Sequence, residues 1–172
     1  MDGTLGGGGH AVALLERAGP DGVLIGVDLD RDAIPAATQQ LASYSERVRL
    51  RQGSFQDLET IVHELEFKYV DAVLLDLGLS SHQIDTPGRG FRFGGEDASE
   101  TPLDMRMDQD LDRNAAELLR SASRNELEQW FRDYGELRGA RRLARQIEST
   151  RREKPFETAA DLIHAIKESR IG

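Results

Sequence analysis

Cysteine is absent from the chain. Disulfides, thiolate metal sites and cysteine nucleophiles are therefore excluded. Long hydrophobic runs are missing too, and no apolar run approaches the length needed to span a bilayer. The opening Met1-Asp2-Gly3-Thr4-Leu5 has neither a basic n-region nor an apolar h-region, which argues against a signal peptide. Metal-ligand spacing is also lacking: His10, His63, His82 and His164 are scattered, with His63 and His164 expected on helix surfaces and no metal expected. A cytoplasmic protein is the default expectation, with a mitochondrial one as the alternative if a leader is missing. An excess of positive charge is the last absence. The net charge is −9, the wrong sign for a protein that grips phosphates over its whole surface.

What is present is a globular composition, 38% hydrophobic and 31% charged over 172 residues, enough for one ordinary domain with a small appendage. Charge is uneven. From Arg132 to Lys154 there are eight basic and four acidic residues. That strip reads either as a solvated helix face with i,i+4 pairs or as a local phosphate-binding surface.

The first 80 or so residues alternate glycine turns, apolar runs and amphipathic stretches. Val23–Asp28 reads as a buried strand, and Asp30–Ala42 as a helix with Asp30 as its cap and Pro35 in its first turns. Val48–Arg51 reads as a short strand, Asp57–Leu65 as a helix, and Val70–Leu75 as another buried strand. Strands alternating with helices predict βαβ units and a parallel sheet. Ser80 to about Asp112 is rich in Gly, Asp, Ser and Arg without a period; so long a loop implies a function or a partner that orders it. Beyond it the pattern is helical. Ser123-Arg124-Asn125-Glu126 and Thr158-Ala159-Ala160-Asp161 are capping boxes. The expected division is an α/β domain over residues 1–112, carrying the long loop 80–112, and a helical subdomain over 113–172.

Four consecutive glycines, Gly6 to Gly9, lead into the amphipathic run from Ala11 to Leu15. Glycine permits a tight turn and close ligand approach, and the following helix N-terminus offers free N–H groups. Gly6, Gly8 and Ala11 fit the G-x-G-x-x-G/A template, as a flexible glycine loop would by chance. Asp28 ends the next strand 19 residues after Gly9, about the distance of a ribose-binding acid. A second acid, Asp30, could cap the following helix and leave Asp28 to a ligand. Phe55, after the next strand, is placed to stack on a base, or it belongs to the core. Asp76 stands at the end of the fourth expected strand, where open α/β sheets bind ligands. Together these features converge on one edge of a sheet.

The runs Asp2–His10, Gly26–Asp28, Leu74–Gln83, Arg89–Phe93, Pro102–Asp108, Tyr134–Glu136 and Ala140–Ala144 resemble, in order and over essentially the whole chain, the RsmH/MraW family of ribosomal RNA cytosine-N4 methyltransferases. The resemblance implies a Rossmann-like class I methyltransferase fold with an inserted helical subdomain. It implies S-adenosyl-L-methionine as cofactor, held by Gly8, Gly9, His10, Asp28, Phe55, Asp76 and Gln83. The substrate it implies is a cytidine of small-subunit ribosomal RNA, free or in the assembled small subunit, with no membrane partner and with a homodimer allowed. The long loop would close over cofactor and target base. Arg138, Arg141, Arg142, Arg145, Arg151 and Arg152 would meet RNA phosphates. Measured against the family pattern, most of the first strand and the later strands are not in the chain, so a fragment, a truncated gene model or a domain needing another chain is expected. The stretch from Gly94 to Thr101 is slightly longer than the family pattern.

The exocyclic amine of cytosine is a poor nucleophile, so the main catalytic task is to hold amine, methyl and sulfur in line. An acceptor for the amine's N–H groups helps, and Asp76 is the candidate, although Asp-Leu-Gly-Leu only partly matches the Asp/Asn-Pro-Pro-aromatic motif of other amino-methyltransferases. The base must also leave its stack. Three other readings stay open: a nicotinamide-dependent oxidoreductase, a catalytically inactive cofactor- or RNA-binding module, and methylation of DNA or a small molecule.

Overall fold

The computed structural model describes residues 1–92 and 100–171. Phe93, most of the stretch from Gly94 to Thr101, and Gly172 lie outside the described residues. The chain divides into two compact units. One comprises Met1–His82 with Met107–Asp110, the other Gln83–Arg106 with Leu111–Gly172.

The first unit is mixed α/β. Strands β1 (Leu24–Asp28) and β2 (Val48–Gln52) pair in parallel, with Leu24 opposite Val48 and Asp28 opposite Gln52. Helices α1 (Gly9–Arg17) and α2 (Ala33–Gln40) precede β2, and α3 (Leu58–Glu64) follows it. Side chains alternate along β1, as a strand requires. Leu24 packs with Leu5, Ala11, Leu15, Ala37 and Leu41, whereas Ile25 and Val27 pack with Ile61 and Val62. Helices therefore cover both faces of β1. Gly26 has no room for a side chain, since a Cβ there would stand 2.8 Å from Leu5 and Leu50.

Two expectations need correction here. The helix after β1 starts at Ala33, and the side chain of its N-cap Asp32 makes no capping bond. Asp30 instead turns the chain from outside, its Oδ1 accepting from the Asp32 N–H at 3.0 Å while its carbonyl accepts from Ala33. The buried strand expected over Val70–Leu75 reduces to a single bridge between Asp2 and Leu74. Val73 and Leu75 are 51% and 44% exposed. The reason is its neighbour, which is only the short segment Met1–Gly3: Leu74 N–H donates to Met1 O, Gly3 N–H to Leu74 O, and the Met1 ammonium to Ala72 O. A ladder that short does not define a strand.

The second unit is built from α5 (Ala115–Ser121), α6 (Arg124–Asp133), α7 (Ala140–Thr150) and α8 (Ala159–Glu168); the division between the units falls within the short helix α4 (Ser81–Asp85). Leu119, Leu127, Leu143, Ile147, Phe156 and Ala165 form its core together with Leu103. Leu103 comes from the long non-helical stretch, which is woven into the helices. Leu103 N–H donates to Glu157 O, Ala159 N–H to Thr101 O, and Ala115 and Ala116 N–H to Asp104 and Leu103 carbonyls. Arg106 grips Asp104 with three hydrogen bonds of 2.8–3.2 Å and reaches Leu111 O at 2.7 Å. Gly90, at φ +79°, lies so close to the Pro102 carbonyl that a Cβ would stand 2.7 Å away.

Both expected capping boxes form, and a third, Asn114 with Glu117, opens α5. At α8, burial works against the charge of Asp161. Bonds from Lys154, the Thr158 and Glu157 backbones and the Thr158 hydroxyl outweigh it and hold the carboxyl well below the usual range. A carboxyl depressed on folding contributes stability above its unfolded pKa of about 3.9 and loses it as pH falls toward the folded value. The gap in urea stability between the native chain and Asp161→Asn should therefore be full at neutral pH and close steadily below about pH 4. A gap independent of pH would show that Asp161 acts without its charge.

Candidate active site

The glycine turn and the ends of β1 and β2 meet at one edge of the first unit. Gly8 is the N-cap of α1 at φ +87°, a conformation that a side chain strains. Its N–H donates to Leu5 O and its carbonyl accepts from Val12. Gly6, at φ +50°, turns its N–H onto Asp28 Oδ2 at 2.7 Å. A Cβ built on Gly7 or Gly9 would meet no atom within 4 Å, so the turn's backbone faces open space. That is the surface a nucleotide-like ligand needs for close approach.

Asp28 is not left free by Asp30, as its sequence position suggested. Its Oδ1 accepts from the Asp30 N–H at 2.9 Å while Oδ2 holds Gly6. A carboxylate has about four acceptor sites, so two remain for ligand hydroxyls, and Asp28 is only half-buried. Phe55 opens the 3-10 turn after β2 and is 44% exposed. It is therefore not a core residue, and its exposure leaves a ring face for stacking.

Asp76 sits on irregular backbone rather than at a strand end. Its N–H donates to Thr4 Oγ1 at 2.7 Å. Its carboxylate is largely exposed and lies 3.8 Å from His10 Nδ1. The structure thus brings Gly8, Gly9, His10, Asp28 and Asp76 to one edge, linked through Thr4 and Gly6. Sequence reasoning gave Thr4 no role, because its bond to Asp76 spans 72 residues and leaves no local signal. Beneath them Asp2 is wholly buried, and burial pushes its carboxyl above the ordinary range against the pull of the Thr4 N–H. Gln83 belongs to the second unit, where it is buried within α4.

The arginines fall into two groups. Arg138, Arg141, Arg142, Arg145 and Arg152 are exposed. Arg151 turns inward, donating to the Leu119 and Ala122 carbonyls at 2.7 and 2.6 Å, where it satisfies the C-terminal end of α5. Among the described residues no group of acids and histidines could hold a metal ion, and no helix is long and apolar enough to cross a membrane.

Residues 1–170 match the model of the MraW methylase family. Among curated proteins, the ribosomal RNA small subunit methyltransferase H of Syntrophotalea carbinolica is 48% identical over 169 residues, covering 98% of this chain and 52% of that protein. The protein of the same name from Geotalea uraniireducens is 47% identical, with 97% and 52% covered. That from Lachnospira eligens is 43% identical, with 98% and 52% covered. The chain spans about half the length of the curated relatives it matches.

Asp28→Ala leaves the Gly6 and Asp30 N–H groups without their acceptor. Loss of charge-assisted bonds of this kind should lower stability by roughly 1–3 kcal/mol in urea denaturation. Unchanged stability would show that the turn holds its shape without the carboxylate.

Proposed function

Because the chain belongs to the MraW methylase family, we propose that it takes part in S-adenosylmethionine-dependent N4-methylation of a cytidine in small-subunit ribosomal RNA. The relatives' name as small-subunit ribosomal RNA methyltransferases supports the substrate class. The observation that carries the cofactor assignment is the open glycine turn locked onto the strand-end acid by the Gly6 to Asp28 hydrogen bond. A Rossmann-like class I methyltransferase fold, with the helical unit as an inserted substrate-recognition part, is the architecture we propose for the whole protein. Its place would be the cytoplasm, with the ribosomal RNA or the small subunit as partner.

S-adenosylmethionine supplies a methyl group already activated on a sulfonium. The backbone of Gly8 and Gly9 would accept its close approach, and the open acceptor sites of Asp28 would take ribose hydroxyls. The exposed face of Phe55 would stack on the adenine. His10 and Asp76, 3.8 Å apart, would border the reacting end. Gln83 is assigned to the same cofactor on the family resemblance. The Asp76 carboxylate would accept a hydrogen bond from the cytosine amine and draw off its proton as the new bond forms. Thr4, holding the Asp76 backbone, would fix where that carboxylate stands. Arg138, Arg141, Arg142, Arg145 and Arg152 are proposed to meet RNA phosphates; Arg151 has the weakest case, being turned onto α5.

Calorimetric titration should show saturable binding of S-adenosylmethionine and none of NAD. Phe55→Ala should weaken it roughly tenfold or more, the scale of base–aromatic stacking. Asp76→Ala should abolish methyl transfer to small ribosomal subunits in an assay where the native chain is active. NAD binding in place of S-adenosylmethionine would overturn the cofactor, and near-normal transfer by Asp76→Ala would overturn its role.

A further inference from the structure

In the helical unit, α5, α6 and α8 each open with a capping box and an acid in the first turn, as the positive end of the helix dipole favours. Helix α7 does the reverse. It opens at Gly139 with no side-chain cap and no acid, and its first turn carries Arg141 and Arg142. Arg145 follows Arg141 at i+4, a like-charge pair that costs helix stability. Its neighbours in sequence behave differently: Arg132 pairs with Glu128 and Arg152 with Glu148. Arg141, Arg142 and Arg145 have no carboxylate within ion-pair distance among the described residues.

These three side chains are exposed and share one surface hollow. With Arg124 from the first turn of α6 they line one pocket of about 190 Å³, and among the described residues no acid lines it. Glu148 reaches Arg124 at 3.7 Å and leaves the other three uncompensated. Four guanidinium groups around one small volume, three of them at positive helix ends, repel one another; an anion between them removes that cost. The pocket is smaller than the roughly 300–1,000 Å³ usual for small-molecule sites. Guanidinium forks match phosphate oxygens two at a time.

We propose that Arg124, Arg141, Arg142 and Arg145 form a binding pocket for a backbone phosphate of RNA. This rests on the reading of the chain as acting on ribosomal RNA, and narrows it to one pocket between α6 and α7. The contact positions the RNA and reads no sequence. Arg124 is thereby added to the RNA-binding set, and Arg138, Arg151 and Arg152 lie outside the pocket.

The test is fluorescence anisotropy of the full chain with a labelled single-stranded RNA, across a series of salt concentrations. Arg141→Ala, Arg145→Ala and, independently on α6, Arg124→Ala should each raise Kd roughly tenfold. They should also flatten the plot of log affinity against log salt by about 0.7 for each phosphate that is no longer neutralised. Arg141→Lys should keep the slope and recover only part of the affinity, since charge remains and the fork does not. Arg17→Ala, at the exposed end of α1, should leave both near native values. Circular dichroism melts should show the α7 variants at least as stable as the native chain, because a like-charge pair is relieved. If the native chain binds RNA and the pocket variants bind it equally with the same slope, the pocket proposal falls and the RNA reading stands. If the folded native chain binds no RNA, both fall.

Discussion

The segment Met1–Gly3 lies between two neighbours, and the geometry of the α/β unit depends on its backbone bonds. On one side the Asp2 N–H donates to Ile25 O and the Val27 N–H to Asp2 O; on the other, Gly3 and Leu74 close the ladder. Each such bond is worth only about 0.5–1.5 kcal/mol net, but together they set register. Leu5 is carried onto β1 by its bond to Val27, which turns Gly6 toward Asp28. Thr4 is carried to Asp76 by the same ladder. The cost is visible in Asp2, whose Oδ2 is buried without a hydrogen-bond partner. A buried carboxylate at that point is expensive, and the surrounding ladder holds it in place.

The helical unit is stabilised in another way. Its helices are short, seven to eleven residues, and helices of that length are marginal alone. Capping boxes satisfy the free N–H groups of α5, α6 and α8, Arg151 satisfies carbonyls at the end of α5, and Leu103 brings the non-helical stretch into the core. The Asp104–Arg106 pair and Gly90 then fix the path by which Leu103 arrives. An irregular segment becomes a structural layer because its backbone groups find partners in the helices.

Much of this is legible from residue order. Local signals read well: the glycine turn, the acid ending β1, the β1 and β2 strands, and the Ser123 and Thr158 capping boxes are all decided within a few residues. The Asn114 box is a local signal of the same kind. Features that depend on distant neighbours are harder to read. Val70–Leu75 has the composition of a buried strand, but whether it is one depends on what pairs with it, and among the described residues its backbone ladder is with Met1–Gly3. Arg151 and Arg152 are adjacent and alike in sequence; tertiary position alone sends one to the α5 carbonyls and the other to Glu148. Arg124 is invisible from sequence as a partner of α7, because the helix pairing that joins them lies outside any local pattern.

The basic strip has a consequence for how a polyanion would arrive. The chain as a whole carries −9, so within the screening length an approaching polyanion meets net repulsion, which the local arginine cluster offsets only at close range. That length is about 30 Å in very dilute salt and about 8 Å at physiological ionic strength. Moderate salt therefore shrinks the long-range barrier before it dissolves the short-range attraction. On the proposed reading, the acidic remainder would act as a filter on encounter, disfavouring most orientations and sparing the α7 face.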